Sequence, residues 1–401
     1  MLMALLCLGG VGYAGCQGQP GQSARQTAWA DSSQHPVEVS FVFTGDIMQH
    51  DSQIADARLA DSTRYDYGYC FSLLKPYLEA ADFTVGNLEL TFGGIPYRGY
   101  PAFSAPDTLA YTLKDIGYDV LVTANNHCLD RGQKGLTRTI QVLDSAQMLH
   151  LGTYLDSAAH MAGTPLILQK DTIRIALLAY TYGTNGIKNR GPGVVNYIDT
   201  ARMAKDLAVA RSQAHAIIVA MHWGTEYQPY PTSQQVALNA WLWQQGATVV
   251  LGNHPHVLQP IEVATDSAGH VEHLTMYALG NFVSAQRPYP RAGGMVLRCN
   301  LIFAGARPHI AAAEYLLTYT ERPTGQPRPR YRVVPLWNKA ADTLTHDRPA
   351  YVRRLLEDAE FLLRDVEPMI TPLHGGNAQP VDSLQASDPE SGRWRFQRPH
   401  D

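Results

Sequence analysis

Three things are scarce in this sequence, and each scarcity removes a class of function. Lys and Arg nowhere gather into a run or stripe, and 32 basic against 36 acidic residues give a formal net charge of -4. The electrostatic footprint of a nucleic-acid binder is therefore missing. The mild acidity equally excludes holding an acidic polymer by bulk charge, so any such contact needs a local site. No segment reaches the roughly 18 consecutive apolar residues that cross a bilayer. Five cysteines occur in 401 residues (Cys7, Cys16, Cys70, Cys128 and Cys299) with no Cys-x-x-Cys pair. That excludes a zinc module or a disulfide framework, and the last three read as buried free thiols. What remains, 45% hydrophobic and 17% charged, is globular composition for one large domain or two.

The first fourteen residues are apolar and small, a signal-peptide core too short to span a membrane. They lead into Tyr13-Ala14-Gly15-Cys16 and then a polar stretch. Small residues directly before a cysteine resemble a bacterial lipobox, which predicts lipidation at Cys16, a lipid anchor to a bacterial membrane and a domain held outside the cytoplasm in the cell envelope. Tyr13 replaces the usual aliphatic residue and no Lys or Arg precedes the core, so an ordinary cleaved signal with Cys16 incidental is the other reading. Residues 1–16 are thus the signal segment, and the Gln/Ser/Gly-rich residues 17–36 a flexible tether.

From residue 37 to about 340, apolar β-like runs alternate with helical spacing, the pattern of α/β layering. Strands are expected at 37–43, 119–122, 173–179, 216–220, 248–251 and 274–278. Helices are expected at 71–81, 132–148 and 349–366, with a further one capped by Thr232 or Ser233 and ended before Gly246. Residues 294–338 read as β-hairpin material. Residues 341–368 form a C-terminal helical segment, and the Pro/Gly/Gln/Ser-rich 369–401 a disordered tail.

Each apolar run closes on acid-base or ligand-type residues: Thr44-Gly45-Asp46, Gly86-Asn87-Leu88-Glu89, Asn125-Asn126-His127 with Asp130, His222-Trp223-Gly224-Thr225-Glu226, His254-Pro255-His256 and Gly280-Asn281. Parallel strands put their carboxyl ends on one rim, where ligands bind. Asp46, Glu89, Asn126, His127, His222, His254 and His256 therefore converge although far apart in sequence. Carboxylate, amide oxygen and imidazole suit Mn, Fe or Zn, and their number points to one or two divalent ions. Singly, each has a plain alternative: a turn carboxylate at Asp46, a helix cap at Asn125-Asn126, a packed histidine at His222. His254 and His256, on alternate residues of an extended segment, would point the same way. Trp241-Leu242-Trp243 reads as helix core.

As a set and in this order, Gly45-Asp46-Ile47-Met48, Gly86-Asn87-Leu88-Glu89, Asn125-Asn126-His127, His222-Trp223-Gly224-Thr225-Glu226-Tyr227, His254-Pro255-His256-Val257 and Gly280-Asn281-Phe282 resemble the CapA-type poly-γ-glutamate capsule family, over residues 37–283. That family belongs to the calcineurin-like metallophosphatase fold, so the resemblance implies an α/β domain of residues 37–340: a β-sandwich flanked by helices in four α/β/β/α layers. It implies Asp46, Asn126, His222, His254 and His256 as metal ligands and His127, oriented by Asp130, as general acid. Two positions depart from the phosphoesterase pattern. Met48 occupies the place of a histidine ligand, and Asn87 that of the bridging aspartate, with Glu89 nearby as its substitute.

The implied role is surface-anchored synthesis or export of poly-γ-glutamate or a related polymer, with a metal-dependent hydrolase of phosphoester or γ-glutamyl amide bonds as its chemistry. The implied partners are that anionic polymer, the membrane, and capsule synthase or export membrane proteins. A non-catalytic polymer-binding accessory and a phosphoesterase on another substrate are the alternatives. Asn87, Asn125, Arg98, Trp223, Glu226 and Asn281 are the expected substrate contacts. Lys188, Arg190 and Arg287 lie in loops near the motifs, where they would pair with substrate carboxylates.

Overall fold

The computed structural model describes residues 36–60, 63–304, 308–322, 330–336, 347–366 and 369–373. The signal segment, Cys16, nearly all of the tether and the chain beyond 373 lie outside them.

A hydrogen-bonded path runs through the strands Leu149–Leu151, Val120–Val122, Phe83–Leu88, Val37–Ile47, Gly293–Phe303, His309–Glu321, Val271–Met276, Val249–Asn253, Ala216–His222, Ile173–Thr181 and Leu166–Lys170, the spine of a 15-stranded sheet. The path folds over on itself, and the alternation of side chains shows where. Val39, Phe41, Phe43, Val85 and Val120 from its first half share one core with Ile175, Leu177, Ile218, Val249 and Leu251 from its second. The opposite face of the first half, with Val42, Leu88 and Leu121, packs Leu109, Leu113 and Leu143 from helices Thr108–Asp115 and Gly132–Ser145. The opposite face of the second half, with Leu178, Val219 and Val250, packs Met203, Leu207 and Leu242 from helices Thr200–Gln213 and Ser233–Gln244. Helix, sheet, sheet, helix is the expected four-layer α/β/β/α sandwich.

Most expected elements occupy their places, and four strands, Val37–Ile47, Ile173–Thr181, Ala216–His222 and Val249–Asn253, run further toward their polar ends than the apolar runs do. Thr232 caps its helix by accepting from the Gln235 N–H, and Gln235 returns the bond to Thr232. The expected helix at 71–81 is two single turns, Gly68–Phe71 and Lys75–Leu78. The hairpin material forms the antiparallel pair Gly293–Phe303 and His309–Glu321, which joins the main sheet beside Val37–Ile47. Helix Pro349–Leu363 sends Val352, Leu355 and Ala359 into the central core. The expected disordered tail starts too early: Ile370–Pro372 pairs in parallel with His309–Glu321, and Ile370 is buried. The short run Met369-Ile370-Thr371-Pro372-Leu373 places Ile370 in the core at a strand edge there, which composition averaged over the whole tail hides. Cys70, Cys128 and Cys299 are free and buried. No helix among the described residues is long and apolar enough to cross a membrane.

Candidate metal centre

The parallel registers bring the polar strand ends together. Asp46 lies opposite Asn87, and His222 opposite both Asn253 and Thr181. Two glycines let the backbones approach. A Cβ at Gly45 would lie 1.9 Å from the Gly280 carbonyl oxygen, and one at Gly252 would lie 1.8 Å from that of Tyr277. No side chain fits at either position.

Across the fold, the His254 N–H points at Asp46 Oδ2 (3.4 Å) and His256 Nδ1 approaches the same oxygen (3.0 Å). Asn87 Nδ2 donates to Asp46 Oδ1 at 2.8 Å. Glu89 Oε1 stands 3.5 Å from His222 Nε2 and 3.7 Å from His256 Nε2. His222 Nε2 also meets Asn126 Oδ1 at 2.9 Å. Ligand-type atoms fall within 4.8 Å of one another in three overlapping sets: Asp46, Glu89 and His256; Glu89, His222 and His254; Glu226, His254 and His256. Glu89, His254 and His256 each belong to two of them.

The electrostatics of this cluster are those of a cation site. Burial, and then the neighbouring Asp46 charge, push the Glu89 carboxyl well above its usual range. Burial lowers His222 well below the ordinary imidazole value, with His254 and His256 adding to the effect. Burial and His256 bring His254 down to about 4. With their pKa values lowered, the His222 and His254 imidazoles keep a lone pair for coordination and bring Glu89 no positive charge. Both Glu89 oxygens, Asn87 Oδ1 and His254 Nδ1 are buried with no hydrogen-bond partner. Leaving such groups unpaired costs roughly 1–3 kcal/mol each, and a divalent ion satisfies carboxylate, amide oxygen and imidazole together. The residues present fit the group.

His127 Nδ1 is held by Asp130 Oδ2 at 2.8 Å, and the Phe103 N–H donates to that same oxygen. Its ring abuts Phe103 edge to face at 4.7 Å. His127 is close enough to His222 and His254 for its charge to depress both.

Several expected contacts sit elsewhere. Asn87 and Glu226 belong to the ligand cluster. Asn125 is a brace, donating to the Leu88 carbonyl and accepting from the His127 N–H. Trp223 is core: its indole N–H donates to the Tyr277 carbonyl, and its ring packs against the helices of the second half. Asn281 orients His256, its Oδ1 lying 3.1 Å from His256 Nδ1. Among the described residues Arg98 is exposed and pairs only its main chain, with Ser104. Lys188 and Arg190 are exposed, and Arg287 is paired with Asp347 at 2.6 Å. His254 and His256 do converge, but not from an extended segment. Their φ angles of +99° and +58° place both in left-handed turns, which rotate the imidazoles inward at a cost of about 1–3 kcal/mol each.

Residues that the motif reading passed over also line the cluster. Tyr182 follows the strand end at Thr181, and its ring lies 4.5 Å from His254. His50 is brought down to about 4 by burial, with His256 and His127 adding smaller effects. The place of Tyr182 directly after the end of Ile173–Thr181 is the signal in the sequence that marks it, as at the other strand ends.

Comparison with known proteins meets this geometry. The model of the bacterial capsule synthesis protein family PGA_cap matches residues 40–286. This chain belongs to that family. The capsule biosynthesis protein CapA of Bacillus anthracis is 28% identical over 266 residues, 62% of this chain and 60% of that one. The PGA biosynthesis protein CapA of Bacillus subtilis is 28% identical over 262 residues, 62% of this chain and 64% of that one. A probable polyglutamine synthesis accessory protein of Mycobacterium tuberculosis is 28% identical over 215 residues, covering 50% and 56% respectively. The chain thus spans rather less than two thirds of the CapA relatives' length. The calcineurin-like phosphoesterase YfkN of Bacillus subtilis overlays 81% of this chain and 97% of its own, with a TM-score of 0.44 and 13% identity, a likeness too distant to bear on the reaction. Every residue of the PGA_cap cluster, from Asp46 to Asn281, falls inside the matched span.

Proposed function

We propose that this chain handles an acidic envelope polymer of the poly-γ-glutamate type, with a metal-dependent hydrolytic centre at the Asp46–Glu89–His222–His254–His256 cluster. The observation that carries the reading is Glu89: a fully buried carboxyl, both oxygens without a donor, set between imidazoles contributed by the other half of the sandwich. Asp46, Asn87, Glu89, Asn126, His222, Glu226, His254 and His256 would hold one or two ions of Mn, Fe or Zn. A divalent ion there supplies Lewis acidity and a water of lowered pKa. His127, fixed in orientation by Asp130, donates a proton from Nε2 to the leaving amine or alkoxide. Phe103, packed on the His127 ring, limits water around it. The bond cleaved is a γ-glutamyl amide or a phosphoester. The wider placement follows the lipobox-like N-terminus and the relatives' names: anchored through Cys16 outside the cytoplasm, beside membrane proteins that make or export the polymer.

A second reading has one observation in its favour. Met48, buried at the position where the fold's enzymes carry a histidine ligand, supplies no hard donor. A site with weakened metal would serve a non-catalytic accessory that binds the polymer.

Turnover separates the two. With protein loaded with Mn, Fe or Zn, γ-linked glutamate oligomers or an aryl phosphoester should be cleaved, and His127→Ala should lower kcat by about 10²–10⁴-fold. A loaded wild-type protein that cleaves neither substrate class would leave the binding accessory as the account.

A further inference from the structure

Arg291 stands beside the cluster with no assigned work. Its guanidinium carbon lies 3.3 Å from the centre of the Tyr227 ring, and that ring is 6.0 Å from His256. Other arginines of the same region are committed: Arg287 to Asp347 at 2.6 Å, Arg298 to Glu314 at 3.7 Å and Arg332 to Glu321 at 2.7 Å. Among the described residues Arg291 makes no ion pair, and its Nε is buried with no acceptor.

Two separate ties hold it to the candidate ligands. Asn281, whose Oδ1 meets His256, donates through Nδ2 to the Arg291 carbonyl at 2.7 Å. The Tyr227 N–H donates at 2.8 Å to the carbonyl of Pro255, the residue between His254 and His256, with Tyr227 itself at φ +68°. The platform and the arginine are therefore each tied to the same histidine turn, through separate hydrogen bonds. Stacking a guanidinium on a ring satisfies its face and leaves its in-plane donors free, the arrangement that receives an oxyanion in bidentate fashion.

We propose that Arg291 is an oxyanion-recognition residue, stacked on Tyr227 to hold a substrate carboxylate or phosphate beside the metal cluster. The assignment rests on the hydrolytic reading of the site and adds its substrate preference. A γ-linked glutamate chain presents one free α-carboxylate per unit, and a phosphoester presents the same chemistry through its phosphoryl oxygens. Loss of the fork should therefore weaken either ligand, and by more for whichever is native.

The test is calorimetric binding of a γ-linked glutamate oligomer, and separately of inorganic phosphate, to wild-type protein, Arg291→Met and Arg291→Lys, with metal content measured on the same samples. The expected result is at least tenfold weaker binding of one probe in Arg291→Met, partial recovery in Arg291→Lys, and unchanged metal content in both. The probe that loses more identifies the source of the oxyanion. A merely structural arginine would lower metal content and thermal stability without a selective loss of probe binding, and that outcome overturns the proposal. So does Arg291→Met binding both probes as wild type does, or a metal-loaded wild type that binds neither. A wild type without metal contradicts the hydrolytic reading instead, while the probe affinities still decide the role of Arg291.

Discussion

At the scale of residues, the cluster is a set of groups each disfavoured without a cation, and Glu89 shows it most directly. A carboxyl whose pKa is raised in the fold binds its proton more tightly folded than unfolded. Metal-free protein therefore loses stability as pH rises from the ordinary glutamate range toward the folded value. Glu89→Gln removes that dependence. In chelator-treated samples its Tm should exceed that of wild type, by more at pH 8 than at pH 6, while added metal should raise its Tm much less than it does for wild type. A variant less stable than wild type at both pH values would show that Glu89 already has a partner. His254 runs the other way. Its pKa falls from about 6.5 to about 4, so its contribution is whole above pH 6.5 and is lost as pH drops toward 4, by about 3 kcal/mol at most. Acid unfolding of the metal-free protein should steepen across that window, and should do so less in His254→Asn.

Elements decide whether these residues meet. Gly45 and Gly252 are where backbone crosses backbone, and a methyl at either would occupy the space of a carbonyl oxygen. Gly252→Ala should cost several kcal/mol, more than the ~1 kcal/mol typical of substitutions, and should release bound metal with the loss of fold. Thr232→Ala is the matching control: loss of its cap should cost about 1 kcal/mol and leave metal stoichiometry unchanged. Element by element, the strands were legible because their apolar runs are β-branched and end abruptly in polar residues. The capping box at Thr232 was legible because cap chemistry is local. The turn of His254-Pro255-His256 was not legible, because a positive φ at two histidines is imposed by packing against Asp46 and Asn281 rather than by local preference. Trp223 and Asn125 misled for a related reason: both lie in the loop after a strand end, and proximity in sequence to a ligand does not say which way a loop side chain turns.

For the molecule as a whole, the site is a clasp between the two halves of the sandwich. Asp46, Asn87, Glu89, Asn126 and His127 come from the first half of the sheet path, and His222, Glu226, His254 and His256 from the second. A ligand that joins them stabilises the whole fold by mass action, about 4 kcal/mol at a thousandfold excess over Kd. Chelation should therefore lower Tm in a single transition rather than release one half first. The order of motifs along the chain revealed this convergence. Arg291 stayed hidden because it lies outside the motifs and reaches the site only by stacking on Tyr227. The most direct test of the central claim is metal content of the purified protein beside a His254→Ala/His256→Ala double variant. Stoichiometric Mn, Fe or Zn in wild type, lost in the variant while both remain folded, is the result this account predicts. A wild-type protein that takes up no metal, and is as stable with chelator as without, would contradict it.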